Sequence, residues 1–272
     1  MKILGIVILY KTDKKKLVVN IEQYVRYIDQ LIVWINSPNY SVAEYKELFQ
    51  GKDYSSRLFY HCDGKNSGLS TPLNYAQEIA VKEKYDYLLT MDQDSYVMNF
   101  EYYLNKIAAL DVDCAIFCQK INDLRQYDIE VVKYHDLINS GTIYTVEALK
   151  RIGYFNKYFF VDSIDTEYCL RAEMFNVPIY LINNAKITQV FGSPYIAHIL
   201  GKKIKTNNYP ESRIREIISS NIYMFKEFKG KYKFYIGKRL FYLWGINLLV
   251  RIIFLEPDKK MKIKSWFDGY KE

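Results

Sequence analysis

Up to about residue 120 the chain alternates short apolar runs with longer stretches in which apolar residues recur every three or four positions. Segments 3–10, 30–35, 57–61, 87–91 and 114–118 are the apolar runs and read as buried strands. Between them Leu17, Ile21, Val25 and Ile28, then segment 42–49, then Leu73, Ala76, Ile79 and Ala80, then Tyr103, Ile107 and Leu110 keep helical spacing. Parallel neighbours need crossover connections, so strands parted by helices predict an α/β fold with a mostly parallel central sheet flanked by helices. Ligands of such sheets bind beyond the carboxyl ends of the strands. One strand, YLLTM at 87–91, runs straight into Asp92, Gln93 and Asp94 at that end.

Beyond residue 125 the elements shorten: an extended stretch at 129–134, a turn at Ser140-Gly141, and helices at 146–152 and 164–175. Helical spacing returns at 210–228 and at 231–255, the latter loaded with aromatic residues. With 272 residues, half of them apolar, the chain suits one large α/β domain with a C-terminal helical extension. The N-terminal MKILGIVILYKTD has a short apolar run but no small-residue cleavage site, and reads as the first strand rather than a leader. Cys62, Cys114, Cys118 and Cys169 form neither a zinc spacing nor a disulfide framework, which favours a reducing, cytoplasmic setting.

Charge separates the tail from the rest. Residues 201–272 hold seventeen Lys and Arg against seven Asp and Glu, so the formal net charge of +7 belongs to the tail. No nucleic-acid-binding motif accompanies it, and a membrane surface is the better-matched partner. The apolar stretch 240–255 is shorter than the ~20 residues needed to span a bilayer, and Asn247 and Arg251 interrupt it. With flanking lysines, Trp244 and Trp266, it suits an anionic interface and a peripheral position on the inner face of the cell membrane. Packing on the rest of the chain and a homodimer contact are its rival uses.

Two carboxylates one residue apart repel each other unless a cation or several hydrogen-bond donors intervene. Oxygen-only ligands suit Mg²⁺ or Mn²⁺, which take one or two carboxylates and complete their shell with phosphate and water. A solvated turn is the bland alternative for Asp92 and Asp94. A calcium loop does not fit, because Tyr96 stands where the next oxygen ligand belongs. Upstream, Asn66 to Asn74 form a loop with Gly68 in it, followed by Thr71-Pro72 as a cap and first helical residue, a place for a phosphate at a helix N-terminus. Downstream, Asp162, Asp165 and Glu167 gather at a helix start. There Asp162 has a cap as its structural alternative, and Glu167 has an ion pair with Arg171 four residues on.

Together these segments resemble the family 2 glycosyltransferases of GT-A type, in their rhamnosyltransferase-like branch. The pieces are Asn66, Gly68 and Asn74; Asp92-Gln93-Asp94-Ser95; Ser140-Gly141-Thr142; Gly153, Phe155 and Asn156; and Phe160, Asp162, Asp165, Glu167 and Arg171. The resemblance implies a catalytic domain over 1–205, with a nucleotide-binding part to about 120 and an acceptor part to 205, and a basic extension over 206–272. It implies an inverting transfer from a nucleotide-diphosphate sugar, dTDP- or UDP-linked, to a hydroxyl of a glycan or lipid-linked glycan. Asp94, Asp92 and, in place of the usual His, Gln189 would hold Mg²⁺ or Mn²⁺, and Asp165 would be the base. Tyr10, Asp13, Asn36, Asn66, Gly68, Asn74, Asp92 and Gln93 would lie along the nucleotide sugar, and Ser140, Gly141, Thr142 and Asp162 along the acceptor.

Three positions depart from the family pattern. Ile35 replaces an Asp that helps hold the nucleotide, Gln189 stands where many relatives place a metal-binding His, and Ser220 replaces an Arg. A carboxamide oxygen is a weaker ligand than imidazole for Mn²⁺. A non-catalytic nucleotide-sugar or glycan-binding relative is therefore the alternative to an enzyme.

Overall fold

The computed structural model describes residues 1–122, 128–189, 192–199 and 201–271. By contact the chain divides into two compact units, one of residues 1–157 and 164–189, the other of 158–163 and 190–272. The 205/206 boundary read from the sequence lies inside the second unit.

In the first unit β1 (Ile3–Leu9), β2 (Gln30–Ile35), β3 (Leu58–Cys62) and β4 (Tyr87–Asp92) are separated by α1 (Lys14–Glu22), α2 (Val42–Leu48) and α3 (Ser70–Lys82). After a short β5 (Tyr96–Met98) come α4 (Phe100–Leu110), β6 (Ile116–Ile121), β7 (Val131–Tyr134), β8 (Thr142–Thr145), α5 (Val146–Ile152), α6 (Ile164–Met174) and β9 (Ile179–Thr188). The sheet order is β3-β2-β1-β4-β8-β6-β9-β5, with β7 also on β9. The half β3-β2-β1-β4 is parallel throughout. All seven β1 residues are buried, as a strand covered on both faces requires. Local chemistry sets the helix starts. Asp13 accepts from the amides of Lys15 and Lys16, Ser41 and Glu44 form a reciprocal capping box, and Thr145 accepts from Ala148 N.

The expected strands and helices of the first 120 residues are present within a few residues of their predicted ends. The later part differs. Thr142–Thr145, just after the expected turn at Ser140-Gly141, is a fully buried strand inserted antiparallel between β4 and β6. The ten-residue β9, not anticipated, pairs parallel to β6 and antiparallel to β5 and β7. Its sequence, IYLINNAKIT, lacks clean alternation because its register shifts against β6 between Gln119 and Lys120.

The second unit contains the hairpin β10 (Tyr195–Ile199) and β11 (Lys202–Thr206), then α7 (Glu211–Gly237), a π-helical stretch Lys238–Asn247, α8 (Leu248–Leu255) and α9 (Lys259–Gly269). Tyr232 leaves helical geometry and kinks α7. Tyr209, Ile214, Ile217, Leu248 and Ile252 form its core, with Trp244, Ile263 and Trp266 packed against them. Gly269 lets α9 approach α7 closely, since a Cβ there would lie 2.7 Å from Ile218 Cβ. Among the described residues no helix is long and apolar enough to cross a membrane.

Candidate active site

Asp92 is the last residue of β4 and pairs in register with Ile8, next to the end of β1. The two carboxylates therefore stand at the carboxyl end of the parallel half of the sheet, where the alternation of strands and helices predicts a ligand. Asp92 is half-buried and Asp94 is exposed. Two buried hydroxyls brace the turn. Ser140 Oγ accepts from Asp92 N at 3.0 Å and donates to Ser95 Oγ at 2.8 Å.

Opposite Asp92 lies Gln189, one residue past β9. Its Nε2 donates to Asp92 Oδ2 at 2.5 Å, and its backbone is bracketed by the Asn122 carboxamide, with Gln189 N donating to Asn122 Oδ1 at 3.2 Å. Gln189 Oε1 is buried without a hydrogen-bond partner among the described residues. Carboxylate and carboxamide oxygens such as those of Asp92, Asp94 and Gln189 are the hard donors that Mg²⁺ and Mn²⁺ accept. Among the described residues no group of three His, Cys, Asp or Glu side chains forms a metal centre. The residues present fit a divalent cation that takes its remaining oxygens from a bound diphosphate.

The other residues read from the motifs fall into distinct roles. Three carboxamides grip the chain's own backbone. Gln93 Oε1 accepts from Tyr10 N at 2.7 Å and from the Thr12 hydroxyl, while its Nε2 donates to Tyr10 O at 2.8 Å. Asn74 Oδ1 accepts from Phe155 N at 2.7 Å and its Nδ2 donates to Phe155 O at 2.9 Å. Asn36 accepts from Ser67 N and donates to Gly68 O and to Asn66 Oδ1, which also takes Gly68 N. These amides hold the loops after β1, before α3 and before α6 in place. Asp13 is the α1 cap, and Tyr10 is exposed at the end of β1.

Ser140, Gly141 and Thr142 are all buried. Gly141 has φ +75°, and a Cβ there would meet Gln119 Nε2 at 2.9 Å and Ile187 Cδ1 at 2.8 Å. The segment thus packs beneath the end of β4, and its hydroxyls face inward. Thr142 Oγ1 donates to Ile138 O at 2.6 Å.

Asp165 lies in the first turn of α6, half-buried, with its Oδ1 accepting from Thr166 N at 2.7 Å. Burial, reinforced by nearby Tyr168, Cys169 and the Asp165 charge, pushes the Tyr144 phenol well above its usual range. Tyr144 sits on β8 opposite Leu88 of β4. Two residues on, Glu167 is buried and pairs bidentately with Arg171 at 2.7 and 2.9 Å, as the four-residue spacing predicts. Asp162 belongs to the second unit. There it pairs with Arg213 at 3.0 Å, and its amide donates to Glu216 at 2.8 Å.

Sequence reading did not single out Asn122 or Asn139. The first brackets Gln189, and the second accepts the Tyr144 and Thr90 hydroxyls. Both are polar residues next to apolar strand ends, which is the one signal that marks them.

The Asn74 clasp has a measurable consequence. Asn74→Ala leaves Phe155 N and O buried and unpaired, and is expected to destabilise the fold by about 2–4 kcal/mol. The urea unfolding midpoint checks it, and a change under 0.5 kcal/mol, roughly the size of a neutral surface substitution, would contradict the structural role.

No protein-family profile matches the chain. It is 27% identical over 153 residues to a dTDP-rhamnosyl transferase, RfbF, of Shigella flexneri, covering 48% of this chain. The matched stretch is 51% of the length of that relative, so the chain spans about half of it. Among solved structures, TarS of S. aureus (residues 1–349) superposes with a TM-score of 0.58 at 15% identity, covering 100% of this chain and 80% of TarS. TarS 1–349 in complex with UDP-GlcNAc gives the same score over 81% of that chain. GalNAc-T7, solved with UDP, GalNAc and Mn²⁺, superposes with a TM-score of 0.60 at 10% identity, covering 100% of this chain and 56% of its own. The chain has the fold of these structures, and about half of its sequence is similar to that dTDP-rhamnosyl transferase.

Proposed function

We propose that this chain is an inverting glycosyltransferase of cell-surface polysaccharide synthesis, moving rhamnose, another deoxysugar or a hexose from a dTDP- or UDP-linked donor to a glycan hydroxyl. The observation that carries the reading is the carboxylate pair Asp92 and Asp94 at the carboxyl end of β4, with Gln189 hydrogen-bonded to Asp92 and its oxygen left unsatisfied. The sequence likeness to a dTDP-rhamnosyl transferase supports the donor class.

In this reading the acceptor hydroxyl attacks the anomeric carbon from the face opposite the diphosphate. The new carbon–oxygen bond forms as the bond to the phosphate oxygen breaks, the diphosphate leaves with the electron pair, and the hydroxyl proton passes to the Asp165 carboxylate. Asp94 and Asp92 would hold a divalent cation, with Gln189 positioning Asp92. When bound, that cation offsets the negative charge that builds on the leaving diphosphate. Gln93, Asn36 and Asn74 act one step back, by fixing the loops around the donor. Because Asp165 lies at a helix start, where the dipole favours the charged form, it works more by position than by basicity.

A panel of dTDP- and UDP-sugars assayed with Mg²⁺ and with Mn²⁺ tests the reading. The expected result is turnover of one donor class, dependent on the cation, with inversion at the anomeric carbon seen by NMR. Nucleotide-sugar binding by calorimetry without turnover under either metal would instead establish a non-catalytic binding protein.

A further inference from the structure

The helical run Lys238–Leu255 in the second unit is apolar on two opposite sides. Leu240, Gly245, Leu248 and Ile252 form the inner row and are buried, the last two in that unit's own core. Tyr242, Leu243, Ile246, Val250, Ile253 and Phe254 recur at three and four residues on the other side, and all are exposed, Ile246 and Phe254 by more than 60%. A helix apolar all round is normally buried all round. The outer row is also a contiguous hydrophobic surface of the kind that marks an interaction site.

Charge decides what covers it. Exposed Lys238 lies one turn before Tyr242, exposed Arg251 adjoins Val250, and Lys233, Lys259, Lys260 and Lys264 are exposed on the helices before and after. A two-fold contact between copies would set this cationic surround against itself. An anionic bilayer instead accepts the apolar row among its acyl chains and the ammonium groups at its headgroups. The run is too short to cross, and Arg251 sits within it.

We infer that the outer face of Lys238–Leu255 lies in the plane of an anionic membrane surface, with Ile246, Val250 and Phe254 inserted and the flanking lysines at the headgroups. The attachment is independent of the transfer chemistry and brings the protein to lipid-borne molecules.

The test is co-sedimentation of the full chain with phosphatidylcholine vesicles, with and without phosphatidylglycerol. Binding is expected to the anionic vesicles only, and to weaken as salt rises. Ile246→Glu should abolish it. Lys259→Ala with Lys260→Ala, which alters only exposed ammonium groups and leaves the fold intact, should weaken it about thirtyfold. Absence of binding to anionic vesicles, equal binding to neutral ones, or binding unchanged in the lysine variant would overturn the inference. So would a dimer, seen by light scattering, that Ile246→Glu splits while vesicles are ignored.

Discussion

Asp94→Ala is expected to lower kcat/KM by about 10³-fold or more while leaving the unfolding midpoint within experimental error. The asymmetry follows from position. Asp94 is exposed on a turn whose shape is held by Ser95, Ser140 and Gln93. Its removal also takes one like charge away from Asp92, which stabilises rather than strains the ligand-free turn. In the transfer reaction the same loss leaves the leaving diphosphate without its charge partner, an effect of several kcal/mol. Calorimetry separates this from general damage: nucleotide affinity should lose its dependence on Mg²⁺ or Mn²⁺. Turnover within tenfold of the parent would remove Asp94 from the site.

Asp165→Asn is expected to reduce kcat by roughly 10²- to 10⁴-fold with a much smaller change in KM. Asn keeps the shape and can still accept from Thr166 N, so α6 should start as before. It cannot take a proton, and only the chemical step suffers. The outcome is readable against Glu167→Gln two residues away, which disturbs the buried pair with Arg171 and should lower stability. If Asp165→Asn turned over normally, the base would have to be sought elsewhere in the first unit.

The glutamine at 189 bears on both results. Its amide already donates to Asp92, so it orients that carboxylate whether or not its own oxygen reaches a cation. A carboxylate held by an N–H presents its other oxygen in a fixed direction.

The alternation of strands and helices to residue 120, the carboxylates at the end of β4, and the Glu167–Arg171 pair were all determined by sequence alone. Each depends on local spacing: a period of two or of three to four, a strand ending in acids, and a four-residue step on a helix. The backbone partners of Asn36, Asn74 and Gln93 emerged only in three dimensions. A carboxamide carries one acceptor and one donor group that suit a nucleotide and a peptide backbone equally, and the backbone partners of Asn74 and Gln93 lie 81 and 83 residues away. Burial likewise hid β8. A strand enclosed between β4 and β6 has no solvent face, so Thr142–Thr145 leaves no alternation in the sequence.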